Sequence, residues 1–164
     1  MISVSWIGKL KKIIPLLVCL MIILLSQTPN IQIIFIPLIY IPIFYFAVFR
    51  PSLLNAYENF GLGIFTDLIS QTTFGLYSFL FVLLFFIARL NRLFLKDLSF
   101  NKLWLLFAIC SALLLLIELF LFTLVSGTVI DTFFLFYQYI ILNLLYPLGV
   151  FLLGRLNHMI GHEE

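Results

Sequence analysis

Charge is what this chain most lacks. Of its 164 residues nine are Lys or Arg and seven Asp or Glu, 10% in all, where a soluble domain carries about a quarter. A water-soluble globule needs those groups to cover its outside, so this composition argues against one. The net charge of +2 is too small to suggest a nucleic-acid partner. Cysteine is nearly missing too. Cys19 and Cys110 both fall inside apolar runs, where free cysteine behaves as a small hydrophobe, so neither a disulfide nor a redox role is expected. The two histidines, His158 and His162, stand four apart near the terminal Glu163 and Glu164. A closed zinc site takes about four ligands and a catalytic one usually about three, so no metal or other cofactor is expected. No HExxH, GxSxG or P-loop pattern and no Ser-His-Asp set stands out, which argues against an enzyme.

What the chain has instead is apolar length. Hydrophobic residues make up 64%, in blocks from Ile13 almost to Leu153 with short polar breaks. About 20 apolar residues rising about 1.5 Å each cross a hydrocarbon core of about 30 Å. A membrane barrel would alternate apolar and polar positions, whereas 79–87 and 113–117 are solidly apolar. The expected fold is therefore an all-α integral membrane protein: one domain, 1–164, with about six spans near 6–27, 31–49, 53–69, 74–88, 103–125 and 133–153. Short connections imply a compact antiparallel bundle in the lipid bilayer.

The positive residues orient it. Lys9, Lys11 and Lys12 lie at the start of the first span, Arg50 after the second, Arg89, Arg92, Lys96 and Lys102 after the fourth, and Arg155 after the sixth. That is every Lys and Arg in the chain. Cytoplasmic loops collect such residues, so both termini are expected in the cytoplasm. Lys9 to Leu25 also has the charged start and short apolar core of a signal peptide, but Ser26-Gln27-Thr28-Pro29 is not an A-x-A-type cleavage site, and Trp6 suits an interfacial anchor of a retained helix.

Polar residues inside the spans are the candidate sites. Asn55, Glu58, Asn59, Thr66 and Asp67 interrupt the third span, and Asn55, Asn59, Gly63 and Asp67 recur every fourth residue as one slowly drifting stripe. Ionisable groups at a helix centre cost about 2.5 to 3.5 kcal/mol on insertion scales, so they face a bundle interior, a partner or water. The stripe therefore either contacts a partner helix, lines a cavity, or makes interhelical hydrogen bonds within the bundle, with Gly63 letting a second backbone approach. Asp67 stands near the outer end of its helix, where it could also be solvated. Glu118 lies deep in the fifth span with no Lys or Arg at its depth. It reads either as a proton- or ligand-binding carboxylate or as a protonated or hydrogen-bonded interior group, with Gln138, Asn143 and Tyr146 as candidate partners and Pro147 as a bend. Glu58, Glu118 and Asn143 together mark a candidate buried polar site. Leu90, Leu93, Phe94 and Leu98 stand at near-helical spacing opposite Arg89, Arg92 and Lys96, as in an interfacial helix on anionic headgroups or a docking segment.

Phe49-Arg50-Pro51, then Gly61-Leu62-Gly63-Ile64-Phe65-Thr66-Asp67-Leu68, then Phe74-Gly75-Leu76 resemble the central pattern of the MreD family of rod-shape-determining membrane proteins. There an Arg-Pro turn leads into a span ending G-x-x-x-D-L, followed by a short loop and L/F-G. The resemblance covers the whole chain in hydropathy and residues 49–80 in motif, with Gly63, Asp67 and Gly75 matching position by position. It gives Glu58 and Glu118 no role. It implies a non-catalytic subunit of the cell-elongation complex in the bacterial cytoplasmic (inner) membrane, associated with MreC and, through it, with MreB filaments, RodA and its transpeptidase in peptidoglycan synthesis. It also implies a fold similar to the substrate-binding subunits of energy-coupling-factor vitamin transporters. That supplies the alternative, a small-molecule-binding transporter subunit using the third span and Glu118. Such subunits carry Ala-x-x-x-Ala spacing on the first helix for docking, yet Ile13 to Leu25 holds no Ala or Gly. A holin-like pore matches in little beyond length and hydrophobicity.

Overall fold

The structure is a computed structural model that describes residues 3–25, 37–70, 74–91, 99–127 and 132–161, with side chains over 13–25, 38–70, 74–91, 99–125, 127 and 133–156. The described residues are all-helical, with no strand among them. Six α-helices follow one another: α1 (Ser3–Leu25), α2 (Tyr40–Phe49), α3 (Ala56–Ser70), α4 (Leu76–Leu90), α5 (Phe100–Ser126) and α6 (Thr132–Gly161), with a 3-10 turn, Pro37–Ile39, leading into α2.

The helix bounds have local causes. Pro42 sits in the first turn of α2, where its missing N–H leaves no intrahelical bond unmade. The chain leaves α2 through a turn in which the Leu53 N–H bonds the Arg50 carbonyl at 3.0 Å, with Pro51 at the second position that fixed φ favours. Asn55 precedes α3, and its N–H donates to Glu58 Oε2 at 2.6 Å, half of a capping box. Helix α5 stops at Gly127, whose φ of 66° is the left-handed conformation of a helix C-terminal glycine.

Five of the six expected spans have a helix over most of their length. Over the second, 31–49, helix is found at 40–49 after the 3-10 turn, and 31–36 lie outside the described residues. The third begins not at Leu53 but at Ala56, because the turn at Arg50–Leu53 and the Asn55 cap precede it. The connection expected at 89–102 is shorter, since α4 continues to Leu90 and α5 starts at Phe100. The amphipathic segment through Leu93, Phe94 and Leu98 lies outside the described residues.

Helix α2 is apolar on every side, and Tyr40 to Val48 are all buried. A helix with no polar face takes the centre, and here α1, α4 and α6 pack on α2 while α5 reaches it through Phe44 against Phe107, ring centres 5.3 Å apart. Phe107 in turn stacks on Tyr146 of α6 at 4.3 Å. The most extensive pairing is α3 with α4. They run antiparallel, Gly63 lying at Ser78 and Asp67 at Gly75. Helix α5 opposes α2, since Tyr40 meets Glu118 and Phe44 meets Phe107. Helix α6 follows the direction of α2, with Gly149 at Ile41 and Gly154 near Tyr45. The C-terminal ends of α2, α4 and α6 and the N-terminal end of α5 thus share one end of the bundle, and Arg50, Arg89, Lys102 and Arg155 stand there.

Outside this core, large apolar side chains such as Met21, Leu116, Phe133 and Leu144 are exposed. Among the described residues two helices are long and apolar enough to cross a membrane, Phe100–Val125 and Phe133–Leu156. Their 26 and 24 residues rise about 39 and about 36 Å.

Candidate functional site

The polar stripe of α3 is turned inward. Asn59, Gly63, Thr66 and Asp67 are buried, and the Gly63 position decides what they meet. A Cβ there would run into Ser78 Cα and fall 2.5 Å from Ser78 N, so the two helices touch backbone to backbone through the missing side chain. The stripe packs against α4 of the same chain.

One turn on, Asp67 reaches the start of α4. The first N–H groups of any helix lack intrahelical acceptors, and α4 has no cap of its own, because its N-cap residue is Gly75 at φ 95°. Asp67 supplies the acceptors from the neighbouring helix. Its Oδ2 accepts from the Gly75 N–H at 2.9 Å and the Ser78 hydroxyl at 3.0 Å, and its Oδ1 from the Tyr77 N–H at 2.9 Å. The Ser78 N–H lies 3.4 Å from Oδ2. A carboxylate held this way also benefits from the positive end of the helix dipole. Of the readings the sequence left open for Asp67, solvated at the helix end or packed against a helix, the structure has the packed one: the residue is 2% exposed, because the start of α4 lies over it.

Glu118 of α5 is 9% exposed. Its Oε1 accepts from the Tyr77 hydroxyl at 2.8 Å, and Tyr40 of α2 donates to Oε2 at 3.4 Å. Tyr77 is therefore the joint of the network, bonded to Asp67 through its backbone and to Glu118 through its phenol. One chain of hydrogen bonds links α3, α4, α5 and α2. Its two carboxylates are acceptors met by N–H and O–H donors.

The other sequence candidates lie apart from this network. Glu58 is half-buried at the α3 cap, bonded to Asn55. Arg50 closes α2, its N–H on the Phe46 carbonyl at 2.9 Å, and Pro51 follows in the turn. Asn59 donates to the Asn55 carbonyl at 3.0 Å, while its Oδ1 has no hydrogen-bond partner among the described residues. Asn143 donates to the Tyr139 carbonyl at 2.9 Å and lies 3.5 Å from the Ser111 hydroxyl. Trp104 ties α5 to α6 by donating to the Asn143 carbonyl at 3.0 Å. Tyr146 is an aromatic packing residue against Phe107 and Phe44. The structure thus does not gather Glu58, Glu118 and Asn143 into one site, since helix rotation points each at a different neighbour. Tyr40, Tyr77 and Ser78 are the members that sequence reasoning missed. The one local signal for Ser78 was the start of α4 without a capping side chain of its own.

Among the described residues no three His, Cys, Asp or Glu come together as a metal-binding group. Among the described residues, surface grooves run between α4 and α5, α1 and α6, α5 and α6, and α3 and α4, and Glu118, Tyr40 and Tyr77 are not in the lining of these. No protein-family model matches the chain, and neither a curated protein nor a solved structure matches it.

Proposed function

We propose that the chain is a six-span protein of the bacterial cytoplasmic membrane, both termini in the cytoplasm, and that it serves as an MreD-like, non-catalytic subunit of the cell-elongation complex. In this reading it binds MreC and so joins MreB filaments to RodA and its transpeptidase. The observation that carries the reading is that Gly63, Asp67 and Gly75 all lie in the α3–α4 packing. Gly63 seats the Ser78 backbone and Asp67 accepts from the Gly75 N–H. These are three positions of the motif that the family resemblance matches, and their spacing makes physical sense as one helix-pair device.

Orientation draws support from Arg50, Arg89, Lys102 and Arg155 at one end of the bundle, as the bias of cytoplasmic loops requires. The exposed apolar side chains of α1, α5 and α6 would meet lipid. A vitamin-binding transporter subunit needs a cavity at its polar residues. Here α2 fills the centre and Glu118 already accepts from two phenols, which favours the scaffold.

The test is affinity purification of the tagged chain from native membranes in mild detergent, with mass spectrometry of what accompanies it. MreC with the elongation synthases is the expected recovery. Transporter ATPases or a bound vitamin would overturn the reading. Reporter fusions at both ends should show a cytoplasmic location.

A further inference from the structure

Among the carboxylates with described side chains, Glu118 differs from the other two. Glu58 and Asp67 accept from backbone N–H groups at helix starts, whereas Glu118 accepts from phenols alone. No described cation stands near it. Lys102 lies about 24 Å back along α5 and Arg89 about 18 Å beyond Tyr77 along α4, and Arg50 and Arg155 share that far end of the bundle. The described side chains of α6 add no charge besides Arg155, and α3 reaches the network only through Asp67, held on the backbone N–H of Tyr77. Burial therefore acts on an unpaired carboxyl and favours its neutral form, while the two O–H donors favour the anion.

The two donors are unequal. Tyr77 makes a full bond to Oε1 at 2.8 Å, whereas Tyr40 stands 3.4 Å from Oε2, a length at which the bond is weak. Oε2 thus keeps a lone pair that a proton can take. An acid formed there turns Oε2 from acceptor into donor, and the hydroxyl oxygen of Tyr40 is the acceptor within reach. A hard metal cation takes about six or more oxygens, more than one carboxylate and two phenols offer. The site lies toward the end of the bundle opposite the arginines. Helix α5 runs about 12 Å beyond Glu118 to Ser126, and the groove lined by Leu76 and Leu121 passes beside Tyr77 and within one turn of Glu118. In the proposed orientation that end faces the outside.

The geometry points to Glu118 as a proton-binding site, in which a proton from solvent adds to Oε2, cancels the single negative charge and reverses the hydrogen bond with Tyr40. Tyr40 keeps its own hydrogen, and Tyr77 remains the donor to Oε1. The α4–α5 link is the same in both forms, and the α2–α5 link is the one that responds. The inference goes beyond the elongation-complex reading and does not depend on MreC. Infrared difference spectra of the whole chain in lipid nanodiscs, with the pH stepped from about 5 to about 9, test it, because exposed carboxyls titrate below that window and phenols above it. The parent should lose one carboxylic-acid carbonyl band as the pH rises, and Glu118→Gln should lack that band. Tyr40→Phe removes a donor to the anion and should move the midpoint of the band up by about one pH unit, a tenfold change in proton affinity. That shift is read even where Glu118→Gln does not fold. A window without a band change, a band that survives Glu118→Gln, or a midpoint unmoved by Tyr40→Phe would overturn the inference.

Discussion

Removing the Asp67 carboxylate should unfasten the start of α4. In Asp67→Ala the Gly75 and Tyr77 N–H groups, each 2.9 Å from a carboxylate oxygen, lose their acceptor in a place where water does not replace it. A buried N–H left without a partner costs about 1 to 3 kcal/mol, so the two together cost about 2 to 6. The loss of a surface N-cap alone is about 1 kcal/mol, which sets a floor, and with Asp67 buried the middle of the range, about 3 to 4 kcal/mol, is expected. Asp67→Asn keeps one acceptor oxygen but turns an amide donor toward other donors, and should cost about half as much. Ser78→Ala removes only the hydroxyl bond, about 1 kcal/mol. Unfolding by SDS titration from mild micelles, followed by tryptophan fluorescence and circular dichroism, would rank the three variants. An Asp67→Ala protein within about 0.5 kcal/mol of its parent, far below even one unpaired N–H, would refute the idea that this side chain caps α4.

Gly61 and Gly63 make a matched pair in the same assay. Gly63→Ala places a Cβ against the Ser78 backbone and should destabilise by at least the about 1 to 3 kcal/mol typical of overpacking, whereas Gly61→Ala meets nothing within 4 Å and should be neutral or stabilising by up to about 1 kcal/mol. Gly63→Leu should abolish co-purification of MreC, and intact recovery at normal protein levels would refute the close-packing argument. Glu118→Leu leaves the Tyr40 and Tyr77 hydroxyls without their acceptor, about 1 to 3 kcal/mol for each. Glu118→Gln keeps an acceptor oxygen and should retain most stability and partner recovery, while a Gln variant as damaged as Leu would point to a role for the charge itself. Gly75→Ala forces a φ of 95° on a residue with a Cβ, expected to cost about 1 to 2 kcal/mol and visible as a lower denaturation midpoint.

Apolar run length made the helices legible in the sequence, and the fourfold stripe on the third span made its inward face legible as well. The Asn55 and Glu58 cap was missed although N-x-x-E before a helix is a readable sign, because the run of apolar residues from Leu53 suggested an earlier start. For Asp67 the sequence left solvation and helix packing both open, because what decides between them is where the next helix starts. The clue was the start of α4 itself: Phe74-Gly75 has no side chain able to cap, so the acceptor had to come from elsewhere. Glu118 was seen as buried, but its phenol partners stand 78 and 41 residues away. Only the rotation of α5 about its axis selects Tyr40 and Tyr77 over the polar residues of α6.

The central place of α2 bears on how the protein is made. The helix is finished on the ribosome before α4, α5 and α6, the elements that later bury it, exist. In the membrane reading proposed above, the flanks that these three helices later cover meet lipid or insertion machinery for that interval, with only α1 already there to pack on it. Its sequence, Tyr40-Ile41-Pro42-Ile43-Phe44-Tyr45-Phe46-Ala47-Val48-Phe49, suits either surrounding, since no side is polar and its backbone bonds are satisfied within the helix. What changes on assembly is the Tyr40 hydroxyl, which gains its acceptor only when Glu118 arrives. Synthesis of the fifth helix is thus the step at which the enclosed helix acquires a fixed rotation. A chain truncated before Glu118 should hold α2 in the membrane without registering it against its neighbours.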